Sequence, residues 1–341
     1  MNSYSSKKAS HHISRGTDVR RAAAGVFSLV MLLGAMTIFS GCKKRGFGKD
    51  AEGKVKVVVS IYPMYDFVQK IGGDQVAVKM LVPAGTEPHS WEPSTRDMLD
   101  LEDADMFVYN GAGIDAWAED VLDTVQNKNL TVLEASEDVT LLKSGEDHHD
   151  EDEHNEEDGH EEHDHHHGEY DPHVWLSPKN AEKELATIAD ALIEKDPDHA
   201  DVYRANLEAA KKECEALDSA FREKLSAYAG RYIVVAHEAY GYLCENYGLK
   251  QIGIEGVSAD QEPDAARMRE IIDMVKEYGI KCIFFEELVD PKVAKSIAEE
   301  TGCETRALSP LDGLTKEDID AGREYFSVMR DNLETLAASF E

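Results

Sequence analysis

The chain has 341 residues, enough for one large or two medium domains with substantial cores. Its 68 Asp and Glu against 36 Lys and Arg leave a formal charge of −32. That balance argues against nucleic acid as a partner, since its binding normally requires a basic face, and it agrees with a cationic ligand.

At the N-terminus Lys7, Lys8, Arg15, Arg20 and Arg21 precede an apolar run from about Ala22 to Phe39, followed by Ser40-Gly41-Cys42. This is the layout of an export signal with a small-residue cleavage site. The alternative, a transmembrane anchor, is disfavoured because the run is short for a span. Cys42 resembles the cysteine of the bacterial lipobox, which becomes the lipidated first residue. The expectation is a lipoprotein signal over 1–41 and a polar tether over 42–54.

From there strands and helices alternate. Lys54 to Ser60 and Val76 to Val82 are β-rich, and Met64 to Ile71 between them suits a helix ending at Gly72-Gly73. A helix is predicted over Ser94 to Asp103, then strands at Met106 to Tyr109 and Leu130 to Leu133. The alternation argues for an α/β lobe with short parallel strands.

The stretch from Gly145 to Trp175 has a different composition. Residues 146–164 hold twelve Asp or Glu and no Lys or Arg. Eight histidines lie among them and just beyond: His148, His149, His154, His160, His163, His165, His166 and His167. Few apolar groups are present to offset the entropy of ordering such a segment. Imidazole suits zinc, copper or nickel, so the segment at 146–170 reads as an accessory metal-gathering loop. The plainer alternative is a solvated acidic insert.

Beyond it, Pro178 opens a helix that Pro197 interrupts. A second helix from about Asp198 to Tyr228 carries Tyr203, Leu207, Ala210, Cys214, Leu217, Phe221, Leu225 and Tyr228 every three or four residues. That stripe suits a connecting helix, 198–229, packed on both neighbouring lobes. A second α/β set follows over 230–341. Its strands are expected at Tyr232 to Ala236, Gln251 to Ile254, Lys281 to Phe285 and Thr305 to Leu308. Its helices are expected at Glu238 to Tyr247, Asp264 to Tyr278, Pro291 to Thr301 and Arg323 to Ala338. The first lobe then occupies 55–197.

Four cysteines remain beyond Cys42: Cys214, Cys244, Cys282 and Cys303. An oxidising compartment permits disulfides, and Cys282 with Cys303, near the starts of consecutive strands, is the first candidate pair. Two buried thiols are the alternative.

Three histidines outside the loop sit where α/β lobes present ligands. His89 follows a strand in Glu87-Pro88-His89-Ser90-Trp91, His173 lies in Asp171-Pro172-His173-Val174-Trp175, and His237 ends the strand Tyr232-Ile233-Val234-Val235-Ala236. Strand ends and adjoining loops converge in a crevice, and the prolines beside the first two restrict the backbone. Each also has a plainer role as a loop cap, a packed ring or a strand-end hydrogen-bonding group. Glu87 and Glu262 are acidic-rim candidates or solvated loop residues, and Trp91 and Trp175 read as packing groups.

These motifs resemble those of the zinc and manganese substrate-binding lipoproteins of bacterial ABC importers, particularly the zinc branch, over most of residues 55–341. The histidine–acid loop is characteristic of the zinc members. The resemblance implies two α/β lobes joined by a long rigid helix, with the metal site in the interlobe cleft. It matches His89 to the Pro-His ligand, His173 to the Asp-Pro-His ligand, and His237 to the ligand opening His-x-Ala-x-x-Tyr-Leu. The family's fourth ligand is a carboxylate near the turn after the last core strand. Here that turn is Leu308-Ser309-Pro310-Leu311-Asp312-Gly313, and Asp312 is favoured over Ser309, over water and over a loop histidine. Three imidazoles and one carboxylate suit tetrahedral zinc, whereas manganese takes a more oxygen-rich shell.

The resemblance further implies extracytoplasmic capture of Zn²⁺ as transported ligand by a lipid-anchored monomer at the cell membrane. Delivery would be to an ABC permease powered by a separate cytoplasmic ATPase. No Gly-x-x-x-x-Gly-Lys-Ser/Thr loop occurs in this chain. The competing expectations are an extracellular metal buffer or adhesin and, last, a zinc hydrolase with Glu238 as base, although no His-Glu-x-x-His helix is present.

Overall fold

The computed structural model describes residues 47–144, 170–258 and 263–341. The expected signal, Cys42, the loop histidines from His148 to His167 and Glu262 lie outside the described residues.

The first lobe is built on strands β1 (Val55–Val59), β2 (Val76–Met80), β3 (Met106–Tyr109) and β4 (Thr131–Glu134). All pair in parallel, in the order β2-β1-β3-β4. Their connections carry α1 (Tyr62–Gly72), α2 (Thr95–Glu102) and α3 (Trp117–Thr124). Strand β1 reads Val-Lys-Val-Val-Val, a β-branched run whose last three residues are fully buried, as expected of a strand covered on both faces. Ser94 starts α2 through a reciprocal capping box with Asp97. Helix α3 was not anticipated. It is short and acidic, and it follows the turn Gly111-Ala112-Gly113, all three at positive φ, so no long apolar period marks it.

Two long helices follow the His173 segment. In α4 (Pro178–Lys195), Ser177 caps the first turn by accepting from Asn180 N, and Pro178 fills the first helical position, where an N–H would lack a partner anyway. Helix α5 (Ala200–Leu225) is shorter than the expected 198–229, because single 3₁₀ turns take up Pro197–His199 and Ser226–Tyr228. Its stripe Tyr203, Ala210, Cys214, Leu217, Phe221 and Leu225 is buried. It packs on α1 and α4 of the first lobe and, in the second, on α6 (Gly241–Tyr247) and a C-terminal helix at Tyr325–Ser339.

The second lobe repeats the design with β5 (Tyr232–Val235), β6 (Lys250–Gly253), β7 (Cys282–Phe285) and β8 (Glu304–Ala307), parallel in the order β6-β5-β7-β8. Its remaining helices are α7 (Ala265–Tyr278), α8 (Lys292–Thr301), the short α9 (Lys316–Asp320) and α10 (Tyr325–Ser339). Helix α6 begins at Gly241, three residues later than expected. Residues 238–240 are held out of helix by tertiary bonds: Glu238 N to Gly256 O, Tyr240 N to Gln251 Oε1 and Tyr240 OH to Leu308 O.

One apolar core runs from β1 through α4 and α5 into β5, β7 and α10, so the lobes share an interior. Smaller clusters lie under α2 and α3 and under α7 and α8. Phe221 is fully buried on α5 and stacks on Tyr247 at a centroid distance of 4.9 Å. Truncation to alanine is expected to cost about 3–5 kcal/mol, readable as a fall in urea midpoint with an unchanged slope.

The Cys282–Cys303 pair is corrected by the structure: Cys214, Cys244, Cys282 and Cys303 are all free thiols. In the parallel register Cys282 lies opposite Glu304, so Cys303 is one residue out of step and its side chain leaves the other face of the sheet. Cys282 accordingly joins the shared core, while Cys303 packs on the α7–α8 side.

Candidate metal centre

The carboxyl ends of the strands supply the site. His237 lies two residues beyond β5 and Glu286 directly follows β7; these strands are neighbours where the order of the second sheet reverses, the place where open α/β sheets bind ligands. His89 sits in the loop after β2, and His173 precedes the turn Val174–Leu176 that leads into α4. Asp312 lies in the segment after β8. There Leu311, fully buried, holds a φ of +59°, a left-handed conformation that costs a branched side chain about 1–2 kcal/mol. Its N–H donates to Ser309 Oγ at 3.3 Å, so Ser309 shapes the turn that presents Asp312.

His89, His173, His237 and Asp312 come together, with one ligand atom from each within 4.8 Å of all the others. His173 Nε2 stands 3.2 Å from His89 Nε2 and 3.1 Å from His237 Nε2. Two imidazole nitrogens sharing a tetrahedral zinc stand about 3.3 Å apart, so His173 is already near that spacing from each of the other two rings. His173, His237 and Asp312 are buried, and His89 is partly exposed at the rim.

Two carboxylates aim the rings. Asp171 Oδ1 accepts from His173 Nδ1 at 2.8 Å and from the His173 backbone N–H at 2.9 Å. Glu286 Oε1 accepts from His237 Nδ1 at 2.7 Å. With each Nδ1 donating, each Nε2 is free to face the centre. Gly241 abuts Asp171 so closely that a Cβ there would lie 2.4 Å from Asp171 Oδ2. Glu87, an expected rim acid, is half-buried and turns inward: it accepts from the N–H groups of His89 and Ser90 and fixes the His89 turn. Trp175 is fully buried, donating from Nε1 to Pro310 O at 2.8 Å, and Trp91 packs edge-on against Trp117.

Neither orienting role was read from the sequence. Asp171 had a local signal, an Asp two residues before a His with a proline between. Glu286 is 49 positions from its partner, and only its place after the buried run Cys-Ile-Phe-Phe marks it.

Burial sets the charge pattern. It drives His89 down to about 3, helped by the charge of His237, and holds His173 well below the ordinary imidazole range. Burial also opposes charge on His237, but Glu286, Asp312 and Glu87 overcome it and push this imidazole up to about 9. Burial raises Asp171 and Asp312 to about 7 despite the attraction of His237. A divalent cation offers these groups the positive charge that burial denies them. Replacing Glu286 with alanine should weaken zinc binding about 10- to 100-fold while the circular dichroism spectrum stays unchanged; an unaltered affinity would refute its orienting role.

Residues 57–339 match the family described as "Zinc-uptake complex component A periplasmic". The zinc-binding protein AdcA of Streptococcus pyogenes serotype M3 is 43% identical over 288 residues, 84% of this chain and 56% of that protein. The chain thus spans little more than half the length of these streptococcal relatives. The high-affinity zinc uptake system protein ZnuA of Bacillus subtilis is 35% identical over 316 residues, 93% of this chain and 97% of that one. Among solved structures, the Zn(II)-bound ZnuA-like domain of Streptococcus pneumoniae AdcA superimposes with a TM-score of 0.70 at 37% identity, covering 84% of this chain and 99% of that one. The laminin-binding protein of Streptococcus agalactiae, described as having adhesin and metal-transporting activity, gives 0.72 at 36% identity over 84% of this chain and all of that one. With its two lobes, its convergent histidines and a family match that runs over residues 57–339, the chain belongs to the zinc-uptake complex component A family.

Proposed function

We propose that this chain binds Zn²⁺ through His89, His173, His237 and Asp312 outside the cytoplasm and delivers it to an ABC permease driven by a separate ATPase. The observation that carries the reading is the convergence of three imidazole nitrogens and one carboxylate in a buried seat whose N···N spacing suits tetrahedral zinc. Asp312, from the segment after β8, takes the fourth position. Four protein donors complete the shell, which leaves no open position for a hydrolytic water and counts against catalysis. Carboxylate-poor ligation favours zinc over manganese. A lipid anchor at Cys42 fits a Streptococcus pneumoniae relative, 40% identical, that is named a zinc-binding lipoprotein.

The test is ⁶⁵Zn uptake at limiting zinc by cells lacking the gene, complemented with wild-type, Asp312→Ala or Cys42→Ala chains. Uptake restored by wild type only, with the Cys42→Ala chain released into the medium, supports transport from a lipid anchor. Unchanged uptake in the gene deletion would sink the transport role.

A second reading, surface adhesion, is favoured by the likeness to the laminin-binding protein of Streptococcus agalactiae. Saturable binding of the purified chain to immobilised laminin would support it, and none would remove it.

A further inference from the structure

The first lobe holds three buried polar atoms with no hydrogen-bond partner among the described residues, Asn110 Oδ1 and both carboxylate oxygens of Glu184, beside a buried Ser60 hydroxyl that faces the Asp115 carboxylate. Ser60 follows β1 and Asn110 follows β3, neighbouring strands at which the order of the first sheet reverses; Glu184 comes from α4. Asp115 links them. Its carboxylate accepts from Asn110 N at 2.7 Å and Gly111 N at 2.9 Å, lies close to the Ser60 hydroxyl, and is near enough to Glu184 to disfavour its charge. Ser60, Asn110 and Glu184 are each 0% exposed.

Interiors rarely leave such groups unsatisfied, and a buried water characteristically takes about three of them as partners. The site also has a route to the metal centre. Asn110 Nδ2 donates to Pro172 O at 3.1 Å, and Pro172 directly precedes His173.

We propose that Ser60, Asn110, Asp115 and Glu184 enclose an internal hydration site whose bound water joins the Glu184 carboxyl to Asn110 and so steadies the backbone that carries His173. The hydration site stands on its own geometry, and its effect on zinc rests on the function proposed above. The titratable groups in electrostatic contact with Glu184 include Asp115 from the loop after β3, Cys214 from α5, Tyr242 from α6 and Tyr325 from α10. With neither oxygen paired among the described residues, Glu184 is the neutral acid, raised well above the usual carboxyl range by burial and by Asp115. As an acid it can donate one hydrogen bond as well as accept, whereas an ionised carboxylate only accepts. Glu184 is therefore a positioning residue for His173, acting through water and Asn110.

The experiment compares Glu184→Gln, Glu184→Leu, Asn110→Ala and the Glu184→Leu/Asn110→Ala double variant by zinc competition. Glu184→Gln keeps shape, neutrality and hydrogen bonding, and should hold the wild-type zinc affinity. Glu184→Leu and Asn110→Ala should each weaken zinc about tenfold, the lower end of outer-shell contributions, and the double variant should be no weaker than either single one. Multiplying losses, or a Glu184→Gln as damaged as Glu184→Leu, would overturn the proposal, the latter in favour of an ionised Glu184 holding a cation. Two readouts work without zinc, and so separate a failure here from a failure of the transport reading. At pH 7 the infrared difference between wild type and Glu184→Gln should contain a protonated-carboxyl band, and a crystal structure should show ordered water between Glu184 and Asn110. Absence of either overturns the site.

Discussion

Alanine at His173 is expected to lower zinc affinity by roughly 10²- to 10³-fold. A four-coordinate structural zinc is worth about 10–16 kcal/mol at neutral pH, so an even share is about 2.5–4 kcal/mol per ligand, with about 1.4 kcal/mol for each factor of ten. The even share suits His173 best. It is fully buried, its Nε2 is the nearest neighbour of both other imidazoles, and Asp171 has already fixed its ring, so little ordering entropy offsets the bond. The deletion also leaves Asp171 buried without its imidazole partner, which adds a structural cost. His89, partly exposed and lacking a carboxylate on Nδ1 among the described contacts, should lose less on the same substitution. Competition against a chromogenic chelator measures both. Equal losses at His89 and His173 would show that prior orientation contributes nothing, and retention of tight zinc by His173→Ala would remove it from the site.

The second large effect is on pH. In the absence of metal His237 carries a proton up to about pH 9, because Glu286 and Asp312 outweigh the burial that opposes its charge. Zinc needs the unprotonated Nε2, so binding at neutral pH must expel one proton. The sign follows: apparent affinity rises with pH, by about tenfold per unit, until pH 9, and is flat above. Below about 7 Asp312 is protonated as well, and the slope steepens toward two protons per zinc. Between pH 9 and pH 6 the loss is therefore about 10³-fold or more. Calorimetry in buffers of different ionisation enthalpy counts the protons directly. Zero release at pH 7.5 would mean that His237 is neutral before zinc arrives. In Glu286→Gln the imidazole loses its counter-charge, so the rising limb should move to lower pH.

Much of this was legible before any coordinates. Short apolar and β-branched runs located the eight strands among the described residues, because strands covered on both faces carry no alternation, and spacings of three to four residues located most of the helices. The misses are local and physical. Residues 238–240 have helix-compatible composition, yet bonds to Gly256, Gln251 and Leu308 hold them as a loop that lets His237 reach the centre. The thiols of Cys282 and Cys303 are near in sequence pattern but separated by the pleat, since a shift of one residue in register sends a side chain to the opposite face.

At the site, the identity of the histidines was readable because each stands at a strand end or beside a proline, in a short motif. Their convergence was not, since His89, His173, His237 and Asp312 meet only when two sheets turn their carboxyl ends toward one centre. The same holds for charge. Isolated imidazoles titrate near 6.5, and only the folded interior moves His89 and His237 in opposite directions. By itself the sequence determined the acidic balance, the two α/β lobes, the connecting helix and the imidazole-rich chemistry, because composition and periodicity are properties of the chain. Only the tertiary structure decided the orienting roles of Asp171 and Glu286, the free thiols and the unpartnered buried polar atoms of Asn110 and Glu184. Those depend on burial and on partners 49 positions apart for His237 and Glu286 and 62 apart for Asn110 and Pro172, and no local pattern encodes such distances.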